Sequence, residues 1–227
     1  MELNNLYKKD IEVFNDNFMI ANAPSDALIT TENGGSVLFN GMLYDGRVKI
    51  SSGTNIGGKA ALAFPKRKIK VSADNWYEIA MIMRHFHVET GKATDTSGKQ
   101  WFAGLQNDDG SVFVKLVNYC SESGSIRVYL RTSNSDGTTL YKSYNLYIDN
   151  YVDTGIILRG HSAWLSRHNM ALTEKNNWEK TPTFNGVELY PIFGVENIDG
   201  TEIKLEFSAL EFECQKYKDY NHGGFNQ

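Results

Sequence analysis

A chain of 227 residues can bury a full core, and an all-β sandwich of this length is commonly one domain. Hydrophobic residues make up 41% and charged residues 22%, ordinary for a globular protein, and the net charge of -4 includes no broad basic stripe to neutralise phosphates. No apolar run approaches the roughly 18 residues that cross a bilayer, and Met1–Asn5 has neither a charged nor an apolar signal region. Nucleic acid and membrane insertion are thus not expected, and folding in the cytoplasm is.

In chain order, Ile11–Met19 alternates as a strand, Ala27–Thr31 is a weaker one, and Ser36–Leu43 a stronger one. Gly34-Gly35 and Gly57-Gly58 mark turns, and Ala60–Phe64 reads as a short strand stopped by Pro65. Ile69 and Val71 lead into Trp76–Phe86, which is apolar on both faces and so reads as a central strand. Trp101–Leu105 and Val112–Tyr119 follow, joined by the hairpin turn Asn107-Asp108-Asp109-Gly110. Further strands are expected at Ser125–Arg131, Tyr141–Ile148, Thr154–Leu158, Trp164–Leu172 and Val187–Val195. Near the C-terminus Ile203, Leu205 and Phe207 form one apolar set while Leu210, Phe212 and Cys214 form the next, out of phase; that flip predicts a β-bulge near Ser208-Ala209.

Helical periodicity is confined to two short stretches, Met1–Asp10 and part of Leu172–Trp178. With no internal repeat and no proline-rich linker, the expectation is one antiparallel β-sandwich over residues 1–215 with little helix, and a polar tail over 216–227.

Chemistry-bearing residues are sparse. His85 and His87 share one face of a strand, with Glu89 in line, a permissible metal geometry that more simply describes a polar strand end. Asp108 and Asp109 are adjacent carboxylates, but neighbouring turn residues point apart and Asp-Asp-Gly is hairpin chemistry rather than a glycosidase pair. Cys120 and Cys214 lie on separate strands outside any zinc-like spacing and read as reduced, buried thiols. The cluster Lys66-Arg67-Lys68-Lys70 reads as a solvated start to a strand, where lysines protect a sheet edge. No nucleophile elbow, phosphate loop or zinc-protease helix is present, so the chain is not expected to be an enzyme or to need a cofactor.

Several runs taken together carry a resemblance. Phe14-Asn15-Asp16-Asn17-Phe18 as an Asn-rich turn, Gly57-Gly58-Lys59-Ala60-Ala61-Leu62, and the Ile-x-Val start before Trp76-Tyr77 resemble the jelly-roll carbohydrate-binding modules over nearly the whole chain. Trp76-Tyr77-Glu78-Ile79, Trp101-Phe102-Ala103-Gly104-Leu105 with Asp108-Asp109-Gly110, and Trp164 ahead of Ser166–Leu172 look like the jelly-roll domains of tail fibres and other structural proteins of tailed bacteriophages. The resemblance implies a non-enzymatic structural or adhesion component of a virion, of tail-fibre or decoration type, made and assembled in the host cytoplasm. Its implied partners are other virion proteins, further copies of itself, and cell-surface polysaccharide; the alternative is a free-standing bacterial glycan-binding module. It also implies a structural calcium between the N-terminal turn and the last strand, held by Asn15, Asp16 and Asn17 with Glu211 or Glu213, although Asn and Asp form such turns without metal by bonding their own backbone. For glycan or subunit contact the expected residues are Trp178 and Asn177 in the polar loop Glu174–Lys180, with Trp164 and His161 near one end of the sandwich. Trp76 and Trp101 open apolar strands and are expected in the core.

Overall fold

The computed structural model describes residues 9–17, 25–39, 48–72, 75–84, 87–90, 99–120, 126–133, 139–146, 151–159, 162–166, 184–198, 200–207 and 209–218. Every regular element among them is a strand: β1 (Lys9–Asn17), β2 (Leu28–Glu32), β3 (Ser36–Phe39), β4 (Val48–Ser51), β5 (Lys59–Ala63), β6 (Ile69–Lys70), β7 (Asn75–Arg84) and β8 (His87–Thr90) in the first half. The second half contributes β9 (Lys99–Gln106), β10 (Phe113–Cys120), β11 (Ile126–Ser133), β12 (Thr139–Leu146), β13 (Tyr151–Arg159), β14 (Ser162–Ser166), β15 (Glu188–Asn197), β16 (Ile203–Phe207) and β17 (Ala209–Lys218). All pairings are antiparallel. They build a five-stranded sheet β1-β17-β7-β13-β14, a four-stranded sheet β3-β4-β16-β8, and an eight-stranded sheet β12-β11-β10-β9-β15-β5-β2 with β6 attached to β15.

The doubly apolar β7 lies between β17 and β13, the interior position expected of such a strand. β9 and β10 are joined by the Asn107–Gly110 turn. Gly110 adopts a left-handed φ of 72°, its N–H donates to Asn107 O at 3.1 Å, and the Asn107 N–H donates to Val112 O at 2.9 Å. β4, only four residues long, has no counterpart in the sequence-based strand set.

Four expectations need correction. The phase flip near Ser208-Ala209 is real, since Ile203, Leu205 and Phe207 are buried on β16 and Cys214 is buried on β17. Its cause is not a bulge. Glu206 pairs with His87 and Ala209 with Arg84, so three residues separate the two pairs on both strands, and neither chain carries the extra residue that defines a bulge. The flip instead marks the place where both chains pass from the four-stranded to the five-stranded sheet. The second correction concerns the turn expected at Asn15, Asp16 and Asn17, which lie instead within β1, paired with β17, as the strand expected over Ile11–Met19 has them. β17 itself runs through Lys218, into the stretch expected as a polar tail. Lys9 and Asp10, expected at the end of a helix, also belong to β1; Leu172–Trp178 lies outside the described residues.

One core joins the three sheets. Trp101, Leu62 and Phe193 from the eight-stranded sheet, Ile79, Ile156 and Cys214 from the five-stranded sheet, and Ile50, Leu205 and Phe207 from the four-stranded sheet form one buried cluster. Phe193 meets Phe207 edge-on at 5.1 Å between centroids and lies 6.4 Å from Trp101, the offset geometries that aromatic quadrupoles favour. Trp101 is fully buried, as its place at the head of an apolar strand implies. The loops at one end are tied by the buried Asn197, whose Nδ2 donates to Gly53 O at 2.8 Å while its Oδ1 accepts from the Gly200 N–H at 2.8 Å.

Candidate polysaccharide-binding face

Alternation along a strand puts every second residue of the eight-stranded sheet on the side away from this core. There Ala61, Ala63, Phe102, Tyr190 and Ile192 form a second buried cluster. Register lines up Tyr190 with Gln106 and Gln106 with Phe113; one step along, Ile192, Gly104 and Lys115 line up in the same way. The floor is made of small residues because nothing larger fits. A Cβ on Gly104 would collide with the Val114 carbonyl and come within 2.6 Å of Lys115 Cα, and one on Gly194 would collide with the Ala60 carbonyl and come within 2.8 Å of the Phe102 ring.

A polar chain runs across this floor between aromatic rings. Gln106 Nε2 donates to the Tyr190 hydroxyl at 2.9 Å, and Lys115 Nζ donates to Gln106 Oε1 at 2.7 Å. The same ammonium lies 4.9 Å from the centroid of Phe102 and 5.1 Å from that of Phe113, within cation–π range of both. Phe113 is anchored in turn by Ser133, whose Oγ accepts from the Phe113 N–H at 2.7 Å. Gln106, Phe113 and Lys115 are partly exposed, whereas Phe102 and Tyr190 are nearly sealed. The partly exposed face of Phe113, beside donors and acceptors held in place by one another, is what a pyranose ring needs: C–H stacking and directional bonds to hydroxyls.

Beyond the Tyr190–Gln106 row an open cleft of about 440 Å³ is lined by the β9–β10 turn, by Lys70 and by residues 186–188. Its carboxylates are committed to structure. Asp109 accepts from the Ser111 N–H at 2.8 Å, and hydrogen bonds from Ser111 hold its carboxyl below the ordinary range. Asp108 pairs with Lys68 Nζ at 2.7 Å, and that bond holds the lysine above its usual pKa. Two members of the basic cluster are thus paired, while Lys66 and Lys70 are exposed as expected: Lys68 also sits 3.9 Å from Glu188, and Arg67 donates from Nε to Asp26 at 2.6 Å while its guanidinium lies 5.5 Å from the Phe64 centroid.

Of the residues expected at a contact site, Trp178, Asn177 and His161 lie outside the described residues. Trp164 is on β14, opposite Ile157 of β13. Of the residues expected at a calcium, Asn15 pairs along the backbone with Glu213 and Asn17 with Glu211, whereas Asp16 pairs with Phe212 and so falls on the other face of the sheet. Among the described residues no group of three or more His, Cys, Asp or Glu is placed to hold a metal ion. His87 and Glu89 lie on β8 opposite Glu206 and Lys204, and His85 is outside the described residues.

No protein-family model matches the chain, and no curated protein matches its sequence. Solved structures do match. The CBM2 module of the evolved Dit of Lactobacillus casei BL23 phage J-1 is 11% identical, over 94% of this chain and 98% of that one, with a TM-score of 0.52. Peanut lectin is 11% identical over 89% and 97%, with a TM-score of 0.54. A LamA variant from Zobellia galactanivorans, in complex with laminaritriose and laminaritetraose, is 11% identical over 91% and 100%, with a TM-score of 0.56. The likeness is one of fold. The architecture is the antiparallel jelly-roll β-sandwich that carbohydrate-binding proteins share, as the sequence led one to expect.

Proposed function

We propose that this chain is a non-enzymatic, glycan-binding structural or adhesion component of a tailed-phage virion, and that it recognises host surface polysaccharide through the outer face of its eight-stranded sheet. The observation that carries the reading is the Tyr190–Gln106–Lys115 chain set between Phe102 and Phe113. A lectin, a phage CBM2 module and a LamA variant holding laminarin oligosaccharides share the fold, which supports a sugar ligand; the phage module and the resemblance in the sequence support the virion context.

Binding without hydrolysis is the simpler use of this face. Hydrolysis of a glycosidic bond needs two carboxyl groups about 5–9.5 Å apart. Asp108 and Glu188 lie near enough for such a pair, but both reach Lys68 Nζ, at 2.7 Å and 3.9 Å, so one lysine holds them together where a scissile bond would have to sit. A free-standing bacterial glycan-binding module would use the same residues, and the lectin and LamA matches favour that second reading as much as the first favours a virion.

Screening the purified chain on an array of bacterial surface polysaccharides, with its assembly state measured by light scattering, tests the ligand. Mass spectrometry of purified virions tests the setting. Glycan binding with the chain present in particles is the expected result; a folded chain that binds no glycan refutes the ligand, and its absence from particles refutes the virion.

A further inference from the structure

The β9–β12 half of the proposed face has a sign as well as a shape, whereas β15 brings Glu188 and Glu196 to the other half. β9, β10, β11 and β12 run as a meander in continuous register, and each places four residues on the side shared with Lys115. Those positions include Lys115, Arg127 and Arg131, five aromatic residues, and neither an aspartate nor a glutamate. The chain as a whole carries a net charge of -4, so this region departs from its surroundings. Register adds a sharper point. Lys115 and Arg131 are direct cross-strand partners, and like charges placed directly opposite each other destabilise a sheet. Arg127 follows four pairs further along, on the same face and opposite Tyr119. Lys115 and Arg131 therefore occupy adjacent register positions on one face, where a single acidic group can meet both.

Resting on the glycan-binding reading above, we infer that the ligand of this face is an acidic polysaccharide, with its carboxylate or phosphate groups received by Lys115 and Arg131 and its rings by the neighbouring aromatic positions. Lys115 enters this role already oriented, its ammonium held between Phe102 and Phe113 with Gln106 taking one of its three protons. Little side-chain freedom remains to be lost when an anion arrives.

Titration of the full chain against polygalacturonate, its carboxyl-reduced neutral counterpart and a poly(glycerol phosphate) tests this. At least one acidic polymer should bind about tenfold or more tightly than the neutral one, and its affinity should fall as added salt shortens the Debye length from about 10 Å at 0.1 M towards about 3 Å at 1 M. Preference between the two acidic polymers distinguishes carboxylate from phosphate. Arg131→Gln should weaken acidic-polymer binding about tenfold, the worth of one charged hydrogen bond, while Lys49→Gln, on the four-stranded sheet, should leave it unchanged. The polymer comparison needs no variant, so it stands even where Arg131→Gln lowers stability. Equal or tighter binding of the neutral polymer would overturn the inference and leave glycan binding intact; failure to bind any of the three, by a folded chain, would overturn both.

Discussion

Replacing Gly194 by alanine tests the packing on which the proposed face rests. Gly194 is not in the left-handed region, so the cost of a methyl group there is steric. The new Cβ would collide with the Ala60 carbonyl of the neighbouring strand and stand 2.8 Å from both Ala61 Cβ and Phe102 Cζ. Carbon atoms prefer about 3.5–4.0 Å, so each of those two contacts is at least about 0.7 Å too short. Phe102 is only 4% exposed and cannot swing clear, and a backbone carbonyl cannot rotate away without breaking the β5–β15 ladder. Overpacking of this kind costs about 1–3 kcal/mol, and with backbone involved the upper end applies. At about 2–4 °C per kcal/mol for a chain of this size, Tm should fall by about 6–12 °C. Glycan binding should weaken as well, because the ring that the new methyl group presses on is one wall of the Lys115 position. Differential scanning calorimetry gives the first number and titration the second. Gly186→Ala, whose new Cβ would meet open space at a φ of 79°, is the control for backbone strain alone. A Gly194→Ala chain with unchanged Tm and unchanged binding would refute the packing.

Trp101→Ala should cost about 3–5 kcal/mol, the range for a buried aromatic, yet leave the affinity of the folded fraction intact; chemical denaturation and titration separate the two. Trp178→Ala should cost less than about 1 kcal/mol while weakening glycan binding or assembly by more than that, as for a surface contact; a loss of about 3–5 kcal/mol would place Trp178 in the core. Glu202 accepts a hydrogen bond from Ser51 Oγ at 2.5 Å and lies 3.1 Å from Lys204 Nζ, and the Ser51 bond, more than the lysine, holds its carboxyl below the ordinary range. A depressed carboxyl contributes stability above its unfolded pKa and loses it as pH falls through the folded one. Tm should therefore decline below about pH 4, and less steeply in Glu202→Gln; identical acid limbs in the two proteins would show that the Ser51 bond does not matter.

Much of the fold was legible because it is written locally. The two apolar faces of 76–86 announced an interior strand, Asp109-Gly110 announced its hairpin, and Trp101 at the head of an apolar run announced its burial. Where the sequence misled, the deciding contacts were distant. The phase flip at Ser208 looks like a bulge in one chain, but it is a joint departure of two paired strands, and only the register with residues 84 and 87 reveals that. Asn15–Asn17 has turn composition, and pairing with 211–213 overrides it. The proposed face was illegible for the same reason. Tyr190 is 84 residues from Gln106, and although Gln106 and Lys115 are only nine apart across the β9–β10 hairpin, each of the three reads as an ordinary strand residue; cross-strand register assembles them. A signal was nevertheless present in Phe113-x-Lys115 and Arg127-x-Tyr129-x-Arg131, where aromatic and basic residues share one parity along neighbouring strands. Trp178 drew attention as a tryptophan in a polar loop, a feature visible without any register.

Phe113 bears on the glycan-binding proposal most directly, since it walls the Lys115 position, is partly exposed, and is not part of the main core cluster. The decisive measurement is the glycan array of the wild-type chain beside Phe113→Ala, both verified as folded. The expected result is that the wild type binds at least one surface polysaccharide and the variant binds it at least about tenfold more weakly, a loss of about 1.4 kcal/mol; a folded wild type that binds none, or a variant that binds equally well, would contradict it.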